Sequence, residues 1–156
     1  MSGAGRADEV AIDGTGLRIV VVAGRWHQAI TEGLVAGAMR VLEASGAEVE
    51  LVRVPGAFEL PVVADAVLRG GADAVVALGV IVRGGTPHFA FVSNAATDGL
   101  TRVALDTGKP VGFGVLTLDN EQQGLDRAGL PGSKEDKGAE AANAALETAV
   151  LLRARR

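Results

Sequence analysis

The sequence predicts a flavodoxin-like three-layer α/β/α sandwich around a central parallel four-stranded sheet. Four apolar segments rich in β-branched residues alternate with longer segments of helical periodicity. The apolar segments are continuous, as in Ala74–Val82, and this pattern is typical of strands that are buried on both faces. No G-x-G-x-x-G motif joins the first strand to its helix, and no Walker A motif is present, so the nucleotide-binding variants of this architecture are disfavoured.

The chain has 156 residues, which favours a single domain with a substantial core. Its 15 Lys and Arg residues nearly balance 19 Asp and Glu, and no basic stripe follows a helix, so nucleic acid is not a favoured partner. There is no cysteine, so neither a disulfide framework nor a thiolate metal site is possible, and the two histidines lack metal-ligand spacing. The N-terminus lacks a signal-like apolar region and no run could span a bilayer, so we expect a cytoplasmic protein without a membrane partner.

The order of elements follows from apolar periodicity and from glycine and proline positions. Residues 1–16 are polar and glycine-rich, and we interpret them as a flexible arm with a possible short strand, followed by a single domain over 17–156. Strands are predicted at Leu17–Ala23, Glu48–Val54, Ala74–Val82 and Val111–Thr117. Helices are predicted at Trp26–Ala44, Ala57–Arg69, Pro87–Asp106, Asn120–Ala128 and Lys134–Arg153.

The segment GVIVRGGTPHF, residues Gly79–Phe89, is the most informative in the chain. A buried strand ends there in a glycine-containing turn, and Thr86 and Pro87 suit the N-cap and the first position of a helix. The exposed N–H groups and positive dipole at such a helix start favour a bound anion. His88 in the same turn places a titratable nitrogen beside that anion, which indicates chemistry on a small phosphorylated molecule.

Aromatic residues gather where the ligand edge of the sheet is expected. The chain has five, and four of them, Trp26, Phe58, Phe89 and Phe91, lie at or just beyond the exits of the first three strands. A cluster there suits stacking on a flat heteroaromatic ring. The alternative is that Trp26 and Phe58 simply start helices with their rings folded onto the core.

Three charged residues have two readings each. Glu59 could satisfy N–H groups in the first turn of its helix, or accept hydrogen bonds from ligand hydroxyls. Arg127 and Lys137 could be solvated surface charges, although a planar guanidinium is well suited to phosphate.

Five motifs in order resemble the lumazine synthase family over about residues 17–152. They are RVPGAFELP (Arg53–Pro61), ALGVIVRGGTPHF (Ala77–Phe89), GFGVLT (Gly112–Thr117), LDRAG (Leu125–Gly129) and EDKG (Glu135–Gly138). The resemblance implies the same α/β sandwich and the penultimate step of riboflavin biosynthesis. That step condenses 5-amino-6-(D-ribitylamino)uracil with 3,4-dihydroxy-2-butanone 4-phosphate to 6,7-dimethyl-8-ribityllumazine, releasing phosphate and water, without cofactor or metal.

The resemblance also implies a role for each matching residue. His88 would shuttle the proton, and Gly85, Thr86 and Arg127 would bind the phosphate. The ribitylaminouracil would be held by Trp26, Ala57, Phe58, Glu59, Val80, Ile81, Val82, Phe113 and Lys137. Phe113 and Arg127 would reach the site from a neighbouring subunit, so the active form would be a homo-oligomer.

Two departures from the family pattern bear on the site. Relatives commonly read HFDYV or HYDYV where this chain has Ala90 and Phe91, so a carboxylate and a phenol are lost near His88. Gly85 stands where many relatives carry a side-chain donor, which leaves phosphate contact there to the backbone. Two other functions remain open: that of a non-catalytic carrier of a flavin or lumazine, and that of a related archaeal-type riboflavin synthase.

The interval Arg127–Gly138 bears on assembly. Capsid-forming relatives have a tight turn resembling RAGTKAGNKG, whereas this chain reads RAGLPGSKEDKG, two residues longer and with Pro131. Proline restricts Leu130 and redirects the chain into the last helix, where Ser133 is predicted as N-cap with Glu135 and Asp136 in the first turn. We therefore predict an isolated pentamer rather than an icosahedral 60-mer.

Overall fold

A computed structural model describes residues 4–156. Four strands form one parallel sheet in the order β2-β1-β3-β4. The strands are β1 (Arg18–Gly24), β2 (Glu48–Val54), β3 (Ala74–Val82) and β4 (Val111–Leu118). The helices are α1 (Gln28–Ala44), α2 (Leu60–Arg69), α3 (His88–Thr107), α4 (Glu121–Leu125) and α5 (Lys137–Arg153), with a 3-10 turn at Ala57–Glu59 before α2.

Helices cover both faces of the sheet, as the continuous apolar strands predict. Successive residues of β1 point to opposite faces. Ile19 and Val21 pack in a cluster with Leu34 of α1 and Leu146 of α5. Val20 and Val22 belong to a second cluster, which contains Leu60 and Leu68 of α2 and Leu100 and Val103 of α3. The predicted three-layer sandwich is therefore confirmed.

All five helices start one to three residues later than the sequence predicts, and the backbone shows why at two of these starts. Helix α1 begins at Gln28 rather than Trp26, because His27 has a left-handed backbone conformation that cannot be part of a right-handed helix. Helix α3 begins at His88, one residue after Pro87, whose own φ of −63° is already helical. The prediction of Thr86 as N-cap is therefore one residue early: Pro87 is the cap residue, and the Thr86 hydroxyl accepts only a long hydrogen bond, 3.4 Å, from the His88 N–H.

The prediction of Ser133 as N-cap of the last helix is wrong. Helix α5 begins at Lys137, and Asp136 is its cap, accepting a hydrogen bond from the Ala139 N–H at 3.0 Å. Ser133 instead closes the preceding turn, since its hydroxyl accepts from the Leu130 N–H and donates to the Leu125 carbonyl. Asp136, which the sequence predicts in the first turn, is therefore the residue before the helix, where its carboxylate caps α5.

Glycines allow that docking. Gly138 of α5 lies against the main chain of Leu34 in α1, and a Cβ built on Gly138 would be 2.7 Å from the Leu34 Cα. Gly37 of α1 likewise faces the Asp136 carboxylate with no room for a side chain. The Asp136 cap also accepts a bond from Arg40 of α1 at 2.7 Å, so the start of α5 is fixed to α1.

The described part of the N-terminal arm, residues 4–16, contains no strand, and residues 1–3 lie outside the described residues. Ile12 packs against the core, and the Gly14 N–H donates to the Ser45 carbonyl at 2.8 Å. Within residues 4–156, no helix is long and apolar enough to cross a membrane, and no group of three or more His, Asp or Glu side chains is placed to hold a metal ion.

Candidate active site

A cavity of about 650 Å³ opens at the carboxyl ends of the first three strands. The strand order reverses between β1 and β3, and open α/β sheets bind their ligands at this switch point. The lining residues come from the β1, β2 and β3 exits and the first turn of α3. They are Trp26, His27, Gly56, Ala57, Phe58, Glu59, Val80, Ile81, Val82, Gly84, Thr86, His88, Phe89, Phe91 and Val92.

The cavity contains all four of the aromatic residues that the sequence places at the strand exits. Trp26 is 68% exposed and Phe58 is 64% exposed, so the alternative in which these rings fold onto the core is wrong. Phe91 is also exposed, and Phe89 is half-buried. Exposed aromatic faces around one cavity are suited to stacking on a flat ring.

Glu59 lies beside Trp26, with Gly56 between them. A Cβ on Gly56 would be 3.1 Å from the Trp26 ring and 3.4 Å from Glu59 Oε2, so the glycine leaves room for both side chains. The Glu59 carboxylate makes no capping hydrogen bond to α2. Its oxygens are therefore available to a ligand, and the capping interpretation of Glu59 is not supported.

Strand β3 offers the cavity a main-chain edge. Its pairing with β1 ends at Leu78, whereas its pairing with β4 continues to Val82. Gly79–Val82 therefore extend beyond β1 with one edge that makes no ladder contact to it. Backbone N–H and C=O groups need partners, and such an edge can bind the polar rim of a planar ligand.

The loop from Arg83 to Thr86 has room for a small anion. A Cβ on Gly84 or Gly85 would meet no atom within 4 Å, so the backbone can be approached closely at both positions. Gly84, Thr86 and His88 line the cavity, whereas Gly85 lies in the exposed loop between them. The N-terminus of α3, a helix of 20 residues, adds its positive dipole end.

Sequence reasoning missed the role of Arg83 as an anchor of this loop. Its guanidinium lies 4.2 Å from the centre of the Phe89 ring, and its Nε donates to Asp119 Oδ1 at 2.9 Å. The hydrogen bond and charge of Arg83 hold the pKa of the Asp119 carboxyl below its usual range. The sequence shows Arg-Gly-Gly before the helix. It does not show the contact of Arg83 with Asp119, which follows another strand.

His27 is a second residue that sequence reasoning missed. It lines the cavity beside Trp26, and its Nδ1 lies 3.0 Å from Glu121 Oε1 of α4. Its position directly after Trp26 is the only sequence feature that could have indicated it.

Three predicted site residues lie away from the cavity of their own chain. Phe113 is exposed on edge strand β4, opposite Ala77 in the middle of β3. Arg127 donates to the Gln123 carbonyl at 2.9 Å, and its Nε is 3.6 Å from Glu135. Lys137 lies 2.8 Å from Glu140 and 3.5 Å from Glu135.

The fold and the cavity define a flavodoxin-like α/β protein with a site for a flat small molecule. A family model described as 6,7-dimethyl-8-ribityllumazine synthase matches residues 16–153, and the chain belongs to that family. It is therefore an enzyme of this type, a transferase of riboflavin synthesis.

Relatives with this name match almost the whole chain. The protein of Leifsonia xyli subsp. xyli is 73% identical, over 100% of this chain and 99% of the relative. The protein of Clavibacter sepedonicus is 70% identical, over 97% of this chain and 95% of its own. The protein of Kineococcus radiotolerans is 66% identical, over 98% and 95% respectively.

Proposed function

We propose that the chain condenses 5-amino-6-(D-ribitylamino)uracil with 3,4-dihydroxy-2-butanone 4-phosphate to form 6,7-dimethyl-8-ribityllumazine, phosphate and water. One observation carries the proposal: a single cavity joins aromatic faces, an open main-chain edge, an anion-accessible loop and a histidine. The first two suit a pyrimidine, the third suits a phosphate, and the fourth can move a proton between them.

The pyrimidine substrate would lie across the β1 and β3 exits. The ring would stack on Trp26, which is exposed in the cavity. The free edge of Val80, Ile81 and Val82 would pair with the polar rim of the uracil, because that edge has N–H and C=O groups to offer. The ribityl chain would extend over Ala57 and Phe58, with its hydroxyls donating to the Glu59 carboxylate.

The butanone phosphate would bind at the start of α3. Its phosphate would accept hydrogen bonds from backbone N–H groups near Gly85 and from the Thr86 hydroxyl, at the positive end of the helix. His88 would accept the proton that must leave carbon for phosphate to be eliminated, and would return one during imine formation and ring closure. Because Ala90 replaces an acidic residue, no carboxylate from that position orients the imidazole.

A neighbouring chain would complete the site. Phe113 is exposed on an edge strand, and Arg127 and Lys137 lie outside the cavity of their own chain. A head-to-tail arrangement of subunits places different surfaces in contact and closes into a ring. In a homopentamer of this kind, Phe113 and Lys137 would border the pyrimidine, and Arg127 would bind the phosphate bidentately.

The turn between α4 and α5 supports an isolated pentamer rather than a 60-mer shell. Gly129 and Gly132 both have positive φ on either side of Pro131, and the Asp136 cap fixes the end of the turn on α1. This path sets the direction of α5. Light scattering near neutral pH should give roughly 80 kDa for five 15.8 kDa chains, and a megadalton particle would refute the pentamer.

The reaction itself is tested by mixing purified protein with both substrates. We expect lumazine fluorescence to appear together with inorganic phosphate, in equal amounts and above the uncatalysed background. Background rates of both products would refute the proposed synthase activity. A carrier on the same scaffold would instead bind added lumazine in a fixed ratio without releasing phosphate.

A further inference from the structure

His27 has a backbone conformation that residues other than glycine rarely adopt. Among residues 4–156 it is the only non-glycine residue with positive φ, at φ 53° and ψ 63°. Left-handed geometry brings Cβ close to the backbone, so glycine adopts it most readily, and asparagine, aspartate and histidine adopt it more often than other residues do. Capping does not explain the conformation, since the side chain of His27 makes no capping bond to α1. Backbone strain of this kind is concentrated at functional sites.

The consequence of this conformation is that Trp26 and His27 both line the cavity. In extended backbone, consecutive side chains point in opposite directions, and the left-handed turn removes that alternation. Thr31, which is fully buried, fixes this turn with two hydrogen bonds. Its hydroxyl donates to the Trp26 carbonyl at 2.7 Å, and its N–H donates to the His27 carbonyl at 3.0 Å.

The imidazole of His27 is held by Glu121. Nδ1 lies 3.0 Å from Glu121 Oε1, and Glu121 is itself placed at the first position of α4 by the Asn120 cap, which accepts from the Gln123 N–H. A carboxylate is an acceptor only, so Nδ1 carries a proton, and in the neutral form of the ring Nε2 is then an acceptor. In the described chain, Nε2 has no hydrogen-bond partner.

We propose that His27 is a substrate-binding residue, whose Nε2 accepts a hydrogen bond from an N–H group of the ring that stacks on Trp26. Glu121 is the positioning residue that fixes the tautomer and the orientation. The inference rests on the proposed function, because it assigns a contact to the pyrimidine substrate. An aminopyrimidine carries ring and exocyclic N–H donors, whereas a hydroxybutanone phosphate carries none. Because the contact is made to the ring that stacks on Trp26, it is assigned to the pyrimidine substrate.

His27→Gly tests the contact, because it removes the imidazole and also the left-handed strain. We expect the dissociation constant of a non-reacting ribitylaminouracil analogue, measured by titration, to rise roughly 2- to 10-fold, the range for one neutral hydrogen bond. The Michaelis constant for the butanone phosphate should stay the same. The melting temperature should be unchanged or higher, since glycine tolerates positive φ.

A matched pair at Glu121 tests the positioning role. Glu121→Gln keeps an oxygen that can accept from Nδ1 and should bind the analogue nearly as tightly as the parent. Glu121→Ala frees the ring and should weaken binding by part of the His27→Gly effect. Equal binding by these two variants would refute the role of Glu121.

Two results would overturn the proposal for His27 itself. One is analogue binding by His27→Gly that is as tight as that of the parent. The other is a lower melting temperature with equal increases in both Michaelis constants, which would make His27 a structural residue. Failure of the proposed function is distinguishable, because the parent protein would then form no lumazine from the two substrates.

Discussion

The wall of the cavity and the segment that follows β4, residues 119–137, differ in how their polar groups are satisfied. In the wall, the Glu59 carboxylate makes no cap, the end of β3 has a free edge, and the loop glycines are open. In the segment after β4, the cations of Arg127 and Lys137 are already paired with Glu135. The wall thus offers open polar groups to a ligand, whereas the segment is a folded surface whose proposed part in the chemistry requires a second copy of the chain.

The largest expected effect is in the wall. His88→Ala should reduce turnover by ~10²–10⁴-fold, the usual range for loss of a general acid–base, down to the uncatalysed background. The side chain is exposed at the start of α3, so its removal should leave the fold intact.

The measurement is lumazine formation, with titration of a non-reacting ribitylaminouracil analogue as the control. Analogue binding should be nearly unchanged, since His88 is assigned to proton transfer. Turnover equal to that of the parent would remove His88 from the catalytic role.

The next effect is in the segment after β4. Arg127→Ala should raise the Michaelis constant for the butanone phosphate by roughly 10- to 100-fold, because a charge-assisted bidentate contact is worth ~1.5–3 kcal/mol. The constant for the pyrimidine should change much less. Equal changes for both substrates would mean that Arg127 supports the fold or the assembly instead.

Mixing two impaired variants, assayed at a low concentration of the butanone phosphate, sharpens the comparison between the regions. If His88 and Arg127 of one site come from different chains, hybrids of His88→Ala and Arg127→Ala chains contain sites with both residues intact. A random hybrid ring would have about one quarter of its sites complete. We expect co-expressed, doubly tagged hybrids to recover activity, whereas activity no greater than that of the separate variants would place both residues in the same chain.

The same difference explains what the sequence could predict. Topology alone places the exits of β1, β2 and β3 together, so Trp26, Phe58 and His88 could be assigned to one cavity. Periodicity likewise identified all four strands and the five helices to within a few residues. The contacts of Arg83 with Asp119 and of His27 with Glu121 join distant segments, and no local pattern indicates them.

The start of α5 shows a second limit of local reasoning. Ser133 and Asp136 are both good caps, and the choice between them is made by contacts with Arg40 and Gly37 of α1. Because helix caps depend on such tertiary contacts, residue type alone could not decide where α5 begins.

A smaller effect concerns the packing that fixes the segment after β4. Gly138→Ala would push a methyl group into the Leu34 main chain and should destabilise the protein by ~1–3 kcal/mol, as overpacking does. At this chain length, each kcal/mol lowers the melting temperature by about 2–4 °C. Gly84→Ala is the matched control, since a Cβ there meets nothing within 4 Å. Equal melting temperatures for the two variants would show that α1 and α5 can move apart without loss of stability.

The smallest expected effect concerns the ion pair of Arg83 and Asp119, which links the two regions. Asp119, at the start of the segment after β4, bonds to Arg83 of the wall, and this partner lowers its pKa from the usual 3.8. A carboxyl whose pKa is lowered by folding stabilises the folded state at pH values above its unfolded-state pKa. This stabilisation is lost as the pH falls through its folded-state pKa. Asp119→Asn should therefore melt slightly below the parent at neutral pH, and the difference should shrink as pH falls below 3.8. The effect is small because the pair is exposed and screened by solvent.

Melting curves from pH 7 down to pH 3 measure this difference in melting temperature, with salt concentration as a second variable. A difference that is constant across this range would mean that Asp119 acts through packing or the bond to Gln123 rather than through its charge on Arg83.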